Sequence, residues 1–175
     1  MRTVIGVCLD ESGSMGQLDR EGASKRDAAI RAFNEYLATQ QAMTSDDCLL
    51  TLVKFSSRAR VVQPVQPVQH VRPLTDQTYY PHGGTALFDA IAYCVGETEK
   101  TTADRYVVVV LTDGEENESK ETTLPQVREL IAAKYRRLPK SFRQEADCEP
   151  ILFGWQAIPA DARAVIITEG ELDAM

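Results

Sequence analysis

Val4-Ile5-Gly6-Val7-Cys8-Leu9-Asp10-Glu11-Ser12-Gly13-Ser14 decides how the rest of this chain is read. Val4 to Leu9 is a short apolar run that stops at a polar, glycine-containing cluster. That is the pattern of a buried strand entering a loop. In the loop a carboxylate and two hydroxyls alternate as D-x-S-x-S, at Asp10, Ser12 and Ser14. An ordinary turn needs one or two such side chains for local hydrogen bonds. Three hard oxygen donors at alternate positions suit a small hard cation such as Mg2+, which takes oxygen ligands in octahedral geometry and keeps some water. Taken alone, the segment also reads as a plain polar turn after a strand.

Downstream, two further loops follow the same logic. Cys48–Phe55 is a second apolar strand. Ser56-Ser57 turns it into a short third strand, Ala59–Val62, which suggests an antiparallel edge hairpin. The tract Gln63-Pro64-Val65-Gln66-Pro67-Val68-Gln69 is barred from a central strand by its prolines and is expected to run extended on the surface. Pro81-His82-Gly83-Gly84-Thr85 then opens a helix carrying Leu87, Ala90, Ile91, Cys94 and Val95, with Thr85 as the expected N-cap and Asp89 in the first turn. Arg105–Leu111, with four consecutive valines, is the clearest buried strand, and it ends in Thr112-Asp113-Gly114-Glu115-Glu116.

Two amphipathic helices complete the pattern. One runs from the Ser24 cap to about Met43. The other is Leu124–Tyr135, behind a Thr123/Gln126 capping box. Strand, helix, hairpin, helix, strand, helix predicts a doubly wound α/β domain with a mostly parallel sheet and one antiparallel edge strand. In such sheets ligands sit beyond the carboxyl ends of the strands, so all three loops are expected to meet on one edge.

Composition narrows the function. With 175 residues, the chain is long enough for one domain with a proper core. A net charge of −7 disfavours general binding to nucleic acid or to anionic membranes, which both call for a basic surface. The first apolar run ends in Asp10 with no small-residue cleavage site behind it, and no stretch reaches the length of a transmembrane helix. Cys8, Cys48, Cys94 and Cys148 match no zinc or redox spacing. The first three lie in apolar runs and read as buried free thiols, so a cytoplasmic protein is expected.

Enzyme readings fare worse. A phosphotransferase with an Asp nucleophile would carry a second Asp two residues on as general acid, and Ser12 stands there. No G-x-S-x-G elbow or P-loop is present. His70 and His82 are not close in sequence, and His82 reads as a solvated loop residue. Glu115 and Glu116 either support a cation from outside its first shell or belong to an exposed loop.

The set D-E-S-G-S, G-G-T-A-L and L-T-D-G-E resembles the von Willebrand factor A domain with its metal-ion-dependent adhesion site. The resemblance covers residues 1–134, with Asp10, Ser12, Ser14, Thr85 and Asp113 matching the family pattern in order. It implies that Ser12 and Ser14 coordinate Mg2+ or Mn2+ through neutral hydroxyls, and Thr85 directly or through water. Asp10 and Asp113 then supply the only two negative charges. One coordination position stays open for a carboxylate from a partner protein. The expected function is therefore a cation-dependent protein-binding module without catalytic residues.

Residues 135–175 depart from this pattern. The ending Ala164-Val165-Ile166-Ile167-Thr168-Glu169-Gly170-Glu171-Leu172-Asp173-Ala174 resembles the opening motif of a Toprim domain of phage primase-helicases. That keeps two alternatives open: a fragment of a Mg2+-dependent nucleic-acid enzyme, or an inactive fused or truncated frame of phage or prophage origin. A single carboxylate motif cannot supply two-metal chemistry, which disfavours the enzyme. An unpaired edge beside Val107–Val110 would expose backbone groups. Ala164–Thr168 is accordingly expected to fill the next parallel position and to bring Glu169 to the same edge as the metal loops. Ile151–Phe153 is the second choice for that place.

Overall fold

The computed structural model describes residues 1–19, 22–43, 47–113, 116–134, 136–137 and 164–168. Its sheet runs in the order β3-β2-β1-β4-β6-β5, built from β1 (Arg2–Asp10), β2 (Asp47–Phe55), β3 (Ala59–Pro67), β4 (Arg105–Leu111), β5 (Arg136–Arg137) and β6 (Ala164–Thr168). All neighbours are parallel except β2 and β3, so the antiparallel strand is the edge, as the hairpin predicts.

Helices cover both faces, and the period-2 alternation of β1 explains why. Ile5, Val7 and Leu9 point to one face, where they join Leu50 and Leu52 of β2 and Val107 and Val109 of β4. Helix α1 (Lys25–Ala42) closes that layer with Phe33, Tyr36 and Leu37. Val4 and Cys8 point the other way, toward α2 (Leu87–Glu99) and α3 (Leu124–Lys134), and pack with Ile91, Cys94 and Val127. Gly6 lies between them for a steric reason: a Cβ there would sit 2.3 Å from Thr98 Cγ2. The missing side chain lets α2 lie close on β1.

Helix termini follow the expected chemistry in two cases. Ser24 Oγ accepts from Asp27 N–H at 3.1 Å, and Gln126 Oε1 accepts from Thr123 N–H at 2.8 Å. Thr85 does not cap α2. Ala86 holds that position, with no side-chain cap. The third strand is also longer than its apolar run suggests and continues through Pro64 to Pro67. An edge strand tolerates proline because its outer N–H groups need no ladder partner, and register shifts opposite Leu50–Val53 absorb the irregularity.

Ala164–Thr168 lies parallel to β4, with Val109 opposite Ile166, in the position expected for it. Tyr135, Cys148, Ile151–Trp155, Glu169 and Asp173 lie outside the described residues. Cys8 and Cys94 are buried free thiols, and Cys48 is only half-buried. Among the described residues, no helix is long and apolar enough to cross a membrane.

Candidate metal centre

Strands β1 and β4 are adjacent and parallel, with Leu9 opposite Leu111, so Asp10 and the Thr112-Asp113 pair leave the sheet side by side. Asp10 is fully buried. Its Oδ1 accepts from Ser12 N–H at 2.7 Å, and its Oδ2 accepts from Thr112 Oγ1 at 2.6 Å. Burial pushes the Asp10 pKa up. The bonds from Thr112 and Ser12 oppose that shift, and the negative charge of Asp113 adds to it. This carboxylate therefore pays for its desolvation with neutral donors only.

The first loop turns in a short 3-10 helix, Gly13–Gly16, anchored by buried Met15. The Ser12 and Ser14 hydroxyls lie 3.0 Å apart, one donating to the other, so their remaining lone pairs are close together. The second loop docks on the first through its backbone. Gly13 N–H donates to Gly83 C=O at 3.0 Å, and His82 N–H donates to Glu11 C=O at 2.8 Å. Gly83 has φ +72°, a left-handed conformation that glycine adopts without strain. Thr85 is buried, and Asn117 clamps its backbone in both directions. Thr85 N–H donates to Asn117 Oδ1 at 2.8 Å, and Asn117 N–H donates to Thr85 C=O at 3.0 Å.

The third loop carries Asp113. Its Oδ2 accepts from Lys25 Nζ at 3.0 Å, while its Oδ1 is buried without a hydrogen-bond partner among the described residues. Past it, Glu116 does not face the centre. Its carboxylate accepts from Phe88 N–H at the start of α2 and from Glu118 and Ser119 N–H within its own loop. Asp89 likewise accepts N–H groups of Lys120, Glu121 and Thr122. These contacts staple the loop to α2. Glu115 lies outside the described residues. His82 is exposed, as expected of a loop histidine, with Nδ1 2.7 Å from Tyr80 C=O.

The structure thus brings the loops of all five expected residues, Asp10, Ser12, Ser14, Thr85 and Asp113, onto one sheet edge. It also shows a network that motif reading misses. Glu11, the unassigned x of D-x-S, is 1% exposed and pairs with Lys54, also 1% exposed, at 3.0 Å. Arg60 Nη2 meets the other Glu11 oxygen at 2.5 Å, and Tyr80 N–H donates to Oε1. Lys54 Nζ also donates to Thr78 C=O and lies 5.1 Å from the Tyr79 ring centre. The Tyr79 hydroxyl in turn donates to Asp10 C=O. Burial would raise the Glu11 pKa, but the bonds from Tyr80, Arg60 and Lys54 outweigh it and hold the carboxyl below its ordinary range. One signal was available: Leu50, Leu52 and Lys54 share a face, which places a lysine among buried leucines.

The donor set fits a hard divalent cation. It offers hydroxyl and carboxylate oxygens with no nitrogen or sulfur, and among the described residues a buried carboxylate oxygen lacks a partner. Among the described residues, no three His, Cys, Asp or Glu side chains gather into a conventional cluster, so the hydroxyls would have to complete the shell.

Comparison with known proteins agrees with this architecture. A family model described as von Willebrand factor type A domain matches residues 5–116. No curated protein matches the chain. Among solved structures, the PilB minor pilin from Streptococcus sanguinis is similar at 20% identity and a TM-score of 0.58, covering 65% of this chain and 30% of the pilin. The vWF domain of the type V pili tip protein Mfa5 from Porphyromonas gingivalis matches at 14% identity and a TM-score of 0.55, covering 85% of this chain and 56% of that one. The adhesive tip pilin GBS104 from Group B Streptococcus agalactiae matches at 14% identity and a TM-score of 0.50, covering 66% and 46%. At these identities the likeness is one of fold, and the chain spans well under two thirds of each of these proteins.

Proposed function

The chain belongs to the von Willebrand factor type A domain family, whose members commonly mediate protein–protein interactions. From that premise and the geometry above, we propose that it is a divalent-cation-dependent protein-binding module. Asp10, Ser12, Ser14, Thr85 and Asp113 would hold Mg2+ or Mn2+, and an acidic side chain of a partner protein would complete the site. The observation that carries this reading is the buried Oδ1 of Asp113, which has no hydrogen-bond partner among the described residues, on the same sheet edge as two mutually bonded serine hydroxyls. A buried carboxylate oxygen without a partner is costly, and a cation would offset that cost.

Each residue has a separate task in this reading. Asp10 and Asp113 supply the negative charge. Ser12, Ser14 and Thr85 supply neutral oxygens, which leave a bound cation electrophilic enough to accept one more carboxylate. Thr112 and the Ser12 amide fix the Asp10 carboxylate, and Asn117 fixes Thr85 through its backbone. The role is binding rather than catalysis.

Capture of Mn2+ tests this, followed by the loss of the free-ion electron paramagnetic resonance signal. Wild type is expected to bind, and Asp113→Ala to bind at least about tenfold more weakly, a change of roughly 1.4 kcal/mol. No capture by wild type rejects the reading.

A further inference from the structure

Lys25 is the first residue of α1, where the helix dipole disfavours a cation. Its side chain nonetheless reaches 88 residues along the chain to Asp113 Oδ2, at 3.0 Å. The Lys25 side chain is 28% exposed and that of Asp113 is 14% exposed, so the pair sits at the mouth of the centre rather than in open solvent. The two carboxylates are treated differently. Both oxygens of Asp10 are held by neutral donors, whereas Asp113 meets a full positive charge on one oxygen and, among the described residues, no hydrogen-bond partner on the other.

We infer that Lys25 is a tethered competitor for the cation: its ammonium neutralises Asp113 while the site lacks metal and must withdraw when a divalent ion enters. This rests on the preceding reading that the edge takes such an ion. The charge arithmetic supports it. Asp10 and Asp113 together carry two negative charges, which Lys25 halves, so an incoming divalent ion meets a weaker field and a repelling neighbour a few ångströms away. The exit is open, because a partly exposed lysine on a flexible four-carbon stem can turn to water at small cost. Lys25 thereby sets the affinity of the site low and ties metal entry to a movement at the start of α1. The same residue keeps the site loops together in the metal-free protein.

The test is calorimetric titration of Mg2+ into the full chain as wild type, Lys25→Met, Lys25→Gln and Lys25→Arg, with melting of each in chelator. Met and Gln remove the charge and keep much of the length, while Arg keeps the charge. The expected result is Mg2+ binding roughly tenfold or more tighter in Met and Gln, the scale of losing one nearby like charge at a partly buried site. Affinity in Arg should be near that of wild type, and melting without metal should be lower in Met and Gln. A merely structural lysine would lower stability and affinity together. Wild type binding as tightly as Met and Gln, or more tightly, overturns the competitor and leaves the metal site standing. Failure of all four proteins to bind overturns both.

Discussion

The two ends of the sheet use the same side-chain chemistry to opposite effect. At the amino ends of the strands, Arg2 Nε meets Asp47 Oδ2 at 2.7 Å, with both side chains 49% exposed. Asp104 Oδ2 accepts from Arg2 N–H close by. At the carboxyl ends, Glu11 meets Lys54 at 3.0 Å with both side chains 1% exposed. The first pair keeps its water and can be lost cheaply. The second pair has surrendered its water and makes sense only as a rigid tie. It joins the Asp10 loop to β2, to β3 through Arg60 and to the Thr78–Tyr80 segment. A buried ion pair is weak evidence for stability and better evidence for a geometry that must be held.

That contrast is open to direct attack. The largest effect is expected from Glu11→Ala, which leaves Lys54 buried and uncompensated. Urea unfolding should show a loss of about 3–5 kcal/mol, a large part of the stability of such a domain. A loss under about 1 kcal/mol would mean that the network is looser than its geometry.

Acid comes next. The folded-state pKa values of Glu11, Glu116 and Asp89 are depressed because hydrogen bonds from N–H groups, cations and, for Glu116, the Ser119 hydroxyl outweigh their burial. Depressed carboxylates stabilise the fold above their ordinary values of 4.5 and 3.8 and lose that contribution as pH falls through the lower folded values. Asp10 opposes this trend, because its pKa is raised by burial and protonation relieves its cost. The urea midpoint should therefore fall steadily below about pH 4.5, and Glu11→Gln should flatten that fall. The smallest effect is expected at the other end. Asp47→Ala should cost roughly 0.2–1 kcal/mol and fade in high salt.

What could be read in advance follows the same division. β1, β2 and β4 announce themselves as apolar runs because a parallel central strand is buried on both faces. Asp10, Ser12 and Ser14 are legible because they lie within one pentapeptide, and Asp113 because it ends the most apolar strand. Lys54 and Arg60 as partners of Glu11 are not legible. They lie 43 and 49 residues away and become neighbours only through strand order. The Lys25–Asp113 pair, 88 residues apart, is hidden for the same reason. Thr85 has the side chain of a helix cap, but tertiary contact overrides the local preference: Asn117 engages its backbone and Ala86 takes the cap position. The proline tract is legible only as an extended surface segment, because propensity alone cannot tell an edge strand from such a segment.

The central claim is that the carboxyl-end loops form a cation site. The most direct measurement is the melting temperature of wild type and Asp113→Ala in excess chelator and in millimolar Mg2+. A ligand at a hundred times its dissociation constant stabilises the folded state by about 2.7 kcal/mol, or roughly 5–11 °C for a domain of this size. The account predicts a rise of that order in wild type and a rise at most about half as large in Asp113→Ala. A wild-type melting temperature that ignores both chelator and Mg2+, or an equal rise in the mutant, would contradict it.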